Sequence, residues 1–521
     1  MSQHRVQPTA EQLYTRRGFL KAAGLSVGAA TLLAQSGVEA QQPKRGGILR
    51  AVFSDGTSGD SLLATKMPNS WTPPMFHTMY DPITRLDNGF QPRPGLAESW
   101  ESTNDAKTWT FHLRKGLRFH DNTPLTAKDV AYSLRFLMRK EAATYTGSLL
   151  RPYLNPDKIR ALDATTLRLE LDKKFVFVAN VLGIRYSLVF KDGTTDNDLL
   201  TKKPIGTGPF AFKSFTPGQA FAATRNPDYW EQGKPYVDEI RMVNIPEEAS
   251  KLQALQANQA DLVAYTDFAL TAQLKGDSAH EPFPFKEAAW DGLCCNLTVE
   301  PFNKPQVIRA MKLGVDRQQF IDTAFAGLAT RGFDGPVPEG DPYFPADLKA
   351  VTRDVAAAKS LLKEAGYPNG VDLPFDLVIV QSLGVTNIAQ VAKEQLAEVG
   401  IRFKIRQGGP TFWDTAYLKE PFILPDWNRR HPFEIYGLLT STENMTKFKN
   451  AEQDAALAAG AATTNFDEQK IQYGKVIRIT AEQDGLIVPA YSPRLHAKST
   501  KLQGVRPNFV SFLDFSAATL G

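Results

Sequence analysis

Two arginines stand side by side at positions 429 and 430. A guanidinium presents parallel N–H donors that fit a carboxylate or a phosphate two oxygens at a time. If the pair faces a ligand, it favours an anionic group; the alternative is that both side chains are solvated or paired with surface acids. Catalytic constellations are scarce elsewhere. No GxSxG elbow is present, and Cys294 and Cys295 lack a recognisable histidine partner motif. The seven histidines are scattered without HxxxH or HExxH spacing, so no metal centre is expected. Gly206-Thr207-Gly208 lacks the Lys-Ser/Thr ending and the following helix of a phosphate loop. No catalytic residue, metal or cofactor is therefore assigned. The two cysteines are adjacent. Neighbours on a strand point to opposite faces, so buried, unpaired thiols are expected rather than a strained vicinal disulfide.

The elements that must hold these side chains read as α/β. Strands are expected at 48–53, at 108–114, where apolar and polar residues alternate, at 117–119 and at 165–171. Thr126 reads as the N-cap of a helix carrying Val130, Leu134 and Leu137 on one side. From about Asp291 the pattern becomes α/β, with helices at 305–320, 355–365 ended by Gly366, 388–399 stopped by Gly400, 451–462 and 467–483. Strands are expected between them at 375–380, 401–405 and 487–491, with Trp290 just before another at 292–297. Helices between short strands argue for mixed α/β sheets. The 521 residues argue for two lobes rather than one core, and a cleft between lobes is where small ligands usually bind.

Composition excludes several classes. Hydrophobic residues make up 42% and charged residues 22%, as in ordinary soluble proteins. Net charge is +4 with no long basic run, so nucleic acid is not an expected partner. The N-terminus has the order of an export signal: Arg16-Arg17-Gly18-Phe19-Leu20-Lys21, an apolar run over 22–34, then Val38-Glu39-Ala40. The twin arginines resemble a Tat signal. Cleavage after Ala40 removes four of the 60 basic and two of the 56 acidic residues, leaving +2. The apolar run is shorter than the ~20 residues that span a bilayer.

Three segments carry a family resemblance: Leu96-Ala97-Glu98-Ser99-Trp100, Trp109-Thr110-Phe111-His112-Leu113-Arg114-Lys115-Gly116, and Pro124-Leu125-Thr126-Ala127-Lys128-Asp129-Val130. Together they resemble the signature block of family 5 extracellular solute-binding proteins, the dipeptide, oligopeptide and nickel receptors of ABC importers. Segments 204–210, 226–230, 302–311 and 450–489 extend the resemblance along the chain. It implies the two-lobed periplasmic binding protein fold with an extra inserted subdomain. Residues 41–83, 203–268 and 485–521 would form a discontinuous lobe I, 84–202 the insert and 269–484 lobe II. It also implies a peptide or small-molecule ligand, ABC permease subunits as partners, a periplasmic location and a monomer.

In peptide-binding members an aspartate before a proline pairs with the peptide amino terminus. The corresponding stretch here is Pro425-Asp426-Trp427-Asn428-Arg429-Arg430-His431-Pro432, with His431 where that aspartate is expected. Asp426 could supply the ammonium contact instead, and Arg429 and Arg430 turn the expectation toward an anionic group. Trp427 belongs to the same stretch. Trp290 and Tyr80 are further candidates for the cleft wall, with core packing as the alternative. The reading is thus a receptor for a peptide or peptide-like solute. The alternatives are a receptor for another organic anion, such as an opine-like conjugate, and an exported hydrolase.

Overall fold

The computed structural model describes residues 43–103, 105–380, 383–409, 412–510 and 512–521. The expected export signal at 1–40 lies outside the described residues.

Among the described residues, twelve strands form one large sheet. In chain order they are β1 (Ile48–Phe53), β2 (Phe210–Thr216), β3 (Ala220–Arg225), β4 (Glu239–Asn244), β5 (Leu262–Val263) and β6 (His280–Cys295). Then follow β7 (Thr330–Arg331), β8 (Leu377–Ile379), β9 (Ile405–Gln407), β10 (Phe422–Leu424), β11 (Asp426–Asn428) and β12 (Leu486–Ser499). The spatial order is β9-β8-β10-β6-β12-β5-β1-β4-β3-β2, with β7 added to β12 and β11 to β6.

Two long antiparallel strands, β6 and β12, join the halves of this sheet. His280 to Phe285 pair with Ser499 to Arg494, on the side where β12 also pairs with β5. Beyond a register break, Ala289 to Asp291 pair with Ser492 to Ala490, on the side where β6 also pairs with β10 and β11. Pro493 sits at that break, where no ladder donor is required. Most of β12 is buried. Its prolines and charges hide it in sequence, so only 487–491 read as a strand.

Helices Pro305–Gly314, Val355–Glu364 and Leu383–Val399 cover one face of the β8–β10 half. Val307, Met311, Leu362, Ile388 and Leu396 pack there against Leu377, Ile379 and Phe422. The expected helix over 305–320 is two helices. Val315 is extended, and Asp316 caps Arg317–Ala324 by accepting from the Gln318 and Gln319 amides. Cap chemistry there overrides helical periodicity. The expected strand at 401–405 also divides. Ile401–Arg402 pairs with Val371–Asp372, while Ile405–Gln407 joins the large sheet.

Between β1 and β2 the chain builds a separate four-stranded sheet in the order Ala97–Ser102, Thr108–Leu113, Thr166–Glu170, Ile159–Ala161. Helix Ala127–Leu137 packs on it, with Thr126 and Asp129 forming a capping box. Residues 117–119 are not a strand. A tight turn through Asn122 (φ 68°) leaves only an isolated bridge between Arg118 and Pro124.

Cys294 and Cys295 are buried and unpaired. Cys294 belongs to the core that holds Trp290 and Trp427, its Sγ 3.7 Å from Met445 Sδ, and Cys295 belongs to the helix-covered core. The alternation of a strand thus separates the two thiols.

Candidate functional site

The crossing of β6 and β12 gathers polar side chains that the sequence scatters. Cross-strand pairing sets Trp290 opposite Trp427 and Asp291 opposite Asp426. Alternation then sends indoles to one face and carboxylates to the other. The two indoles stack with centroids 6.0 Å apart. Tyr145, from the region between β1 and β2, lies on Trp427 at 6.4 Å.

On the carboxylate face Arg494 reaches from β12. Its Nη2 lies 3.1 Å from Asp426 Oδ2, and its Nε donates to Asn428 Oδ1 at 3.2 Å. Ser492 Oγ donates to Asp291 Oδ2 at 2.7 Å. Burial pushes the Asp291 carboxyl up to about 6; nearby Asp426 adds to the rise, and Arg494 opposes it. Asp55, just after β1, accepts from the Ser70 amide at 2.5 Å and is also raised by burial. The Tyr265 ring lies 5.7 Å from the Arg494 guanidinium. A cavity of about 10 Å³, roughly one water's worth, remains between Tyr265, Phe285, Asn428, Arg494, Phe509 and Phe512.

The surrounding backbone is strained. Phe90 (φ 59°), Tyr265 (53°), Glu287 (47°) and Phe512 (65°) all adopt left-handed conformations. Each such residue costs on the order of 1–3 kcal/mol and tends to occur at ligand clamps. Unpaired polar atoms concentrate here too. Asp55 Oδ1, Arg185 Nε and Nη2, Trp290 Nε1, Asp291 Oδ1, Trp427 Nε1 and Arg430 Nε are buried without a hydrogen-bond partner. Orphans of this kind are uncommon in protein interiors and call for a specific explanation.

The model of the bacterial extracellular solute-binding proteins, family 5 Middle, matches residues 91–445. This chain belongs to that family. Heme-binding protein A of Haemophilus influenzae is 26% identical over 449 residues, covering 79% of this chain and 81% of the relative. The Helicobacter pylori periplasmic binding protein DppA, solved with the peptide STSA, superposes with a TM-score of 0.82 at 23% identity, over 92% of this chain and 98% of that one. AgaA from A. tumefaciens R10, solved with agropinic acid, gives 0.81 at 24% identity, over 91% and 99%. The fold is therefore the mixed α/β fold of the periplasmic binding proteins, as the sequence implied. Among the described residues, no helix is long and apolar enough to cross a membrane.

In this solute-binding protein Trp290, Asp426, Trp427 and Arg430 come together. Trp290 lies within β6 rather than before a strand at 292–297, because pairing with β12 starts at His280. Arg430 donates to Glu434 at 2.5 Å and lies over Tyr145 and Trp427, at 4.8 and 5.3 Å. Arg429 diverges from it, reaching Asp341 at 3.1 Å and Glu287 at 3.4 Å. Neither arginine is solvated: each takes up an acid in a largely buried setting.

His431 caps helix Pro432–Leu439, its Nδ1 accepting from the Phe433 amide at 3.1 Å. Tyr80 lies apart from the cluster. It packs edge-on against Phe190 at 5.2 Å, in the core formed by β1–β4 and helix Thr72–Met79. Sequence reading missed Asp55, Arg185, Asp291 and Arg494. The available signal was charge inside apolar stretches, as in Val181-Leu182-Gly183-Ile184-Arg185-Tyr186.

Proposed function

We propose that this chain is the periplasmic substrate-binding component of an ABC importer, capturing a small peptide or peptide-like solute at the crossing of β6 and β12. The observation that carries this reading is the concentration of buried, unpaired donors and acceptors there. Carboxylates (Asp55, Asp291, Asp426) and guanidiniums (Arg185, Arg430, Arg494) belong to this region, and Arg494 lines its small cavity. That distribution suits a solute bearing both an ammonium and an anionic end, with stacked aromatics for its apolar parts. The peptide-bound and agropinic-acid-bound neighbours support both a peptide and an opine-like conjugate as ligand class.

Lobe I would comprise 41–83, 203–268 and 485–521, the insert 84–202 and lobe II 269–484. The hinge falls at the register break near 286–288 and Pro493. The leader would direct Tat export, and the mature monomer would dock on inner-membrane permease subunits. Binding without turnover is expected, in contrast to an exported hydrolase.

A thermal-shift screen against peptides and amino-acid conjugates tests the reading. A ligand at 100 times its Kd adds about 2.7 kcal/mol of stability. Closure around the ligand should also lower the radius of gyration in solution scattering. Hydrolysis of a bound peptide, or no response to either ligand class, would contradict it.

A further inference from the structure

Arg185 differs from the other arginines of the site. Arg430 has Glu434, Arg494 has Asp426, and Arg429 has Asp341. Arg185 is only 8% exposed, yet its Nε and Nη2 have no hydrogen-bond partner. Around it lie Arg430, which carries the same charge, and the hydroxyls of Tyr145, Tyr186 and Tyr265; Tyr186 hydrogen-bonds the guanidinium but supplies no counter-charge. Burying a guanidinium without a counter-charge is costly, so this arrangement is not explained by stability.

Geometry narrows what would satisfy it. The guanidinium carbon lies over the Phe512 ring, 4.1 Å from its centroid, and Phe512 borders the cavity beside Arg494. The main chain at this position is anchored by His77, whose Nε2 lies 3.0 Å from the Arg185 carbonyl oxygen. The Nε–H and Nη2–H bonds leave the same edge of the plane and run parallel. The two missing partners therefore lie side by side, spaced as the oxygens of one carboxylate.

We infer that Arg185 is a specificity-determining residue that receives a carboxylate of the solute edge-on, through Nε–H and Nη2–H. This rests on the proposed solute-binding function and narrows it to carboxylate-bearing solutes. The acids beside Arg494, Asp426 and Asp291, are then left for the cationic end.

The test compares the full chain with Arg185→Met and Arg185→Lys. The probes are a set of free di- and tripeptides and the same peptides as C-terminal amides. Titration calorimetry and the unfolding temperature are read. The wild type should prefer free acids over amides by roughly 10- to 100-fold, the scale of one charge-assisted hydrogen-bonding group. Arg185→Met should lose that preference while its own ligand-free unfolding temperature holds or rises, since an uncompensated buried charge has gone. Arg185→Lys, a point charge without the fork, should retain only part of the preference. Full preference in Arg185→Met, or a clear drop in its ligand-free unfolding temperature, overturns the inference. If the wild type binds neither probe set, the peptide reading fails on its own. The ligand-free unfolding temperature of Arg185→Met then decides this inference separately: a rise supports it and a fall overturns it.

Discussion

His431 caps its helix by accepting a hydrogen bond on Nδ1, which requires that nitrogen to be unprotonated. Its ring is enclosed by Phe177, Phe433 and Tyr343. Burial, and after it the neighbouring Arg429 charge, pushes the imidazole from 6.5 down to about 3. The folded value lies below the unfolded one, so between about pH 3 and 6.5 the unfolded chain binds the extra proton. Stability contributed by neutral His431 is present above pH 6.5 and is lost as pH falls through that window. The shift from 6.5 to about 3 corresponds to on the order of 5 kcal/mol in all, with a slope of about 1.4 kcal/mol per pH unit in mid-window. His431→Asn keeps a capping acceptor and removes the titration. Urea unfolding of both proteins at pH 7, 6 and 5, followed by circular dichroism, reads the difference. The variant should be less stable at pH 7, having lost aromatic packing. The gap should then narrow by about 1.4 kcal/mol between pH 6 and 5. His77 and His496, lowered by burial to about 4 and about 3, act equally in both proteins and cancel. Parallel curves would mean that His431 titrates like a solvated histidine, and the core placement would be wrong.

Asp484 shows the opposite dependence: burial raises it from 3.8 to about 6. Its contribution is present at low pH and is lost as pH rises from about 4 to about 6. Asp484→Asn should therefore match the wild type at pH 4 and gain up to ~3 kcal/mol relative to it at pH 7 in urea unfolding. Arg317 and Asp334 form a buried pair at 2.6 Å. Arg317→Ala strands the carboxylate and should cost about 3–5 kcal/mol, whereas replacing both by apolar residues should cost less. At Gly206 a Cβ would stand 2.1 Å from the Met79 carbonyl oxygen. Gly206→Ala should cost roughly 1–3 kcal/mol in thermal unfolding, while nucleotides leave the wild-type unfolding temperature unchanged.

Local chemistry was legible in the sequence. Thr126 begins its helix as expected, and the chain turns at Gly366 (φ 91°) and Gly400 (φ 103°) where helices were expected to stop. The crossing strands were harder to read. Pro489, Pro493, Arg494 and Lys498 break the apolar pattern of β12, and only the buried two-sided pairing explains why it continues. The site was legible only in part. Asp426 and Trp427 were visible as a polar cluster with an indole, but their partners Asp291 and Trp290 lie far away in sequence, and register unites them. Adjacency of Arg429 and Arg430 suggested one anion site, yet the two side chains diverge to different acids. Arg185 enters from a separate part of the chain, so its unpaired edge exists only in three dimensions.

A crystal structure of the chain with the strongest binder from the peptide and conjugate screen bears most directly on the site. Solute atoms should lie within hydrogen-bonding distance of Arg185 and of at least one of Asp55, Asp291 and Asp426, with an apolar part against Trp427 or Tyr265. A solute bound elsewhere, with these groups still unpaired, would contradict the assignment of the β6–β12 crossing as the binding site.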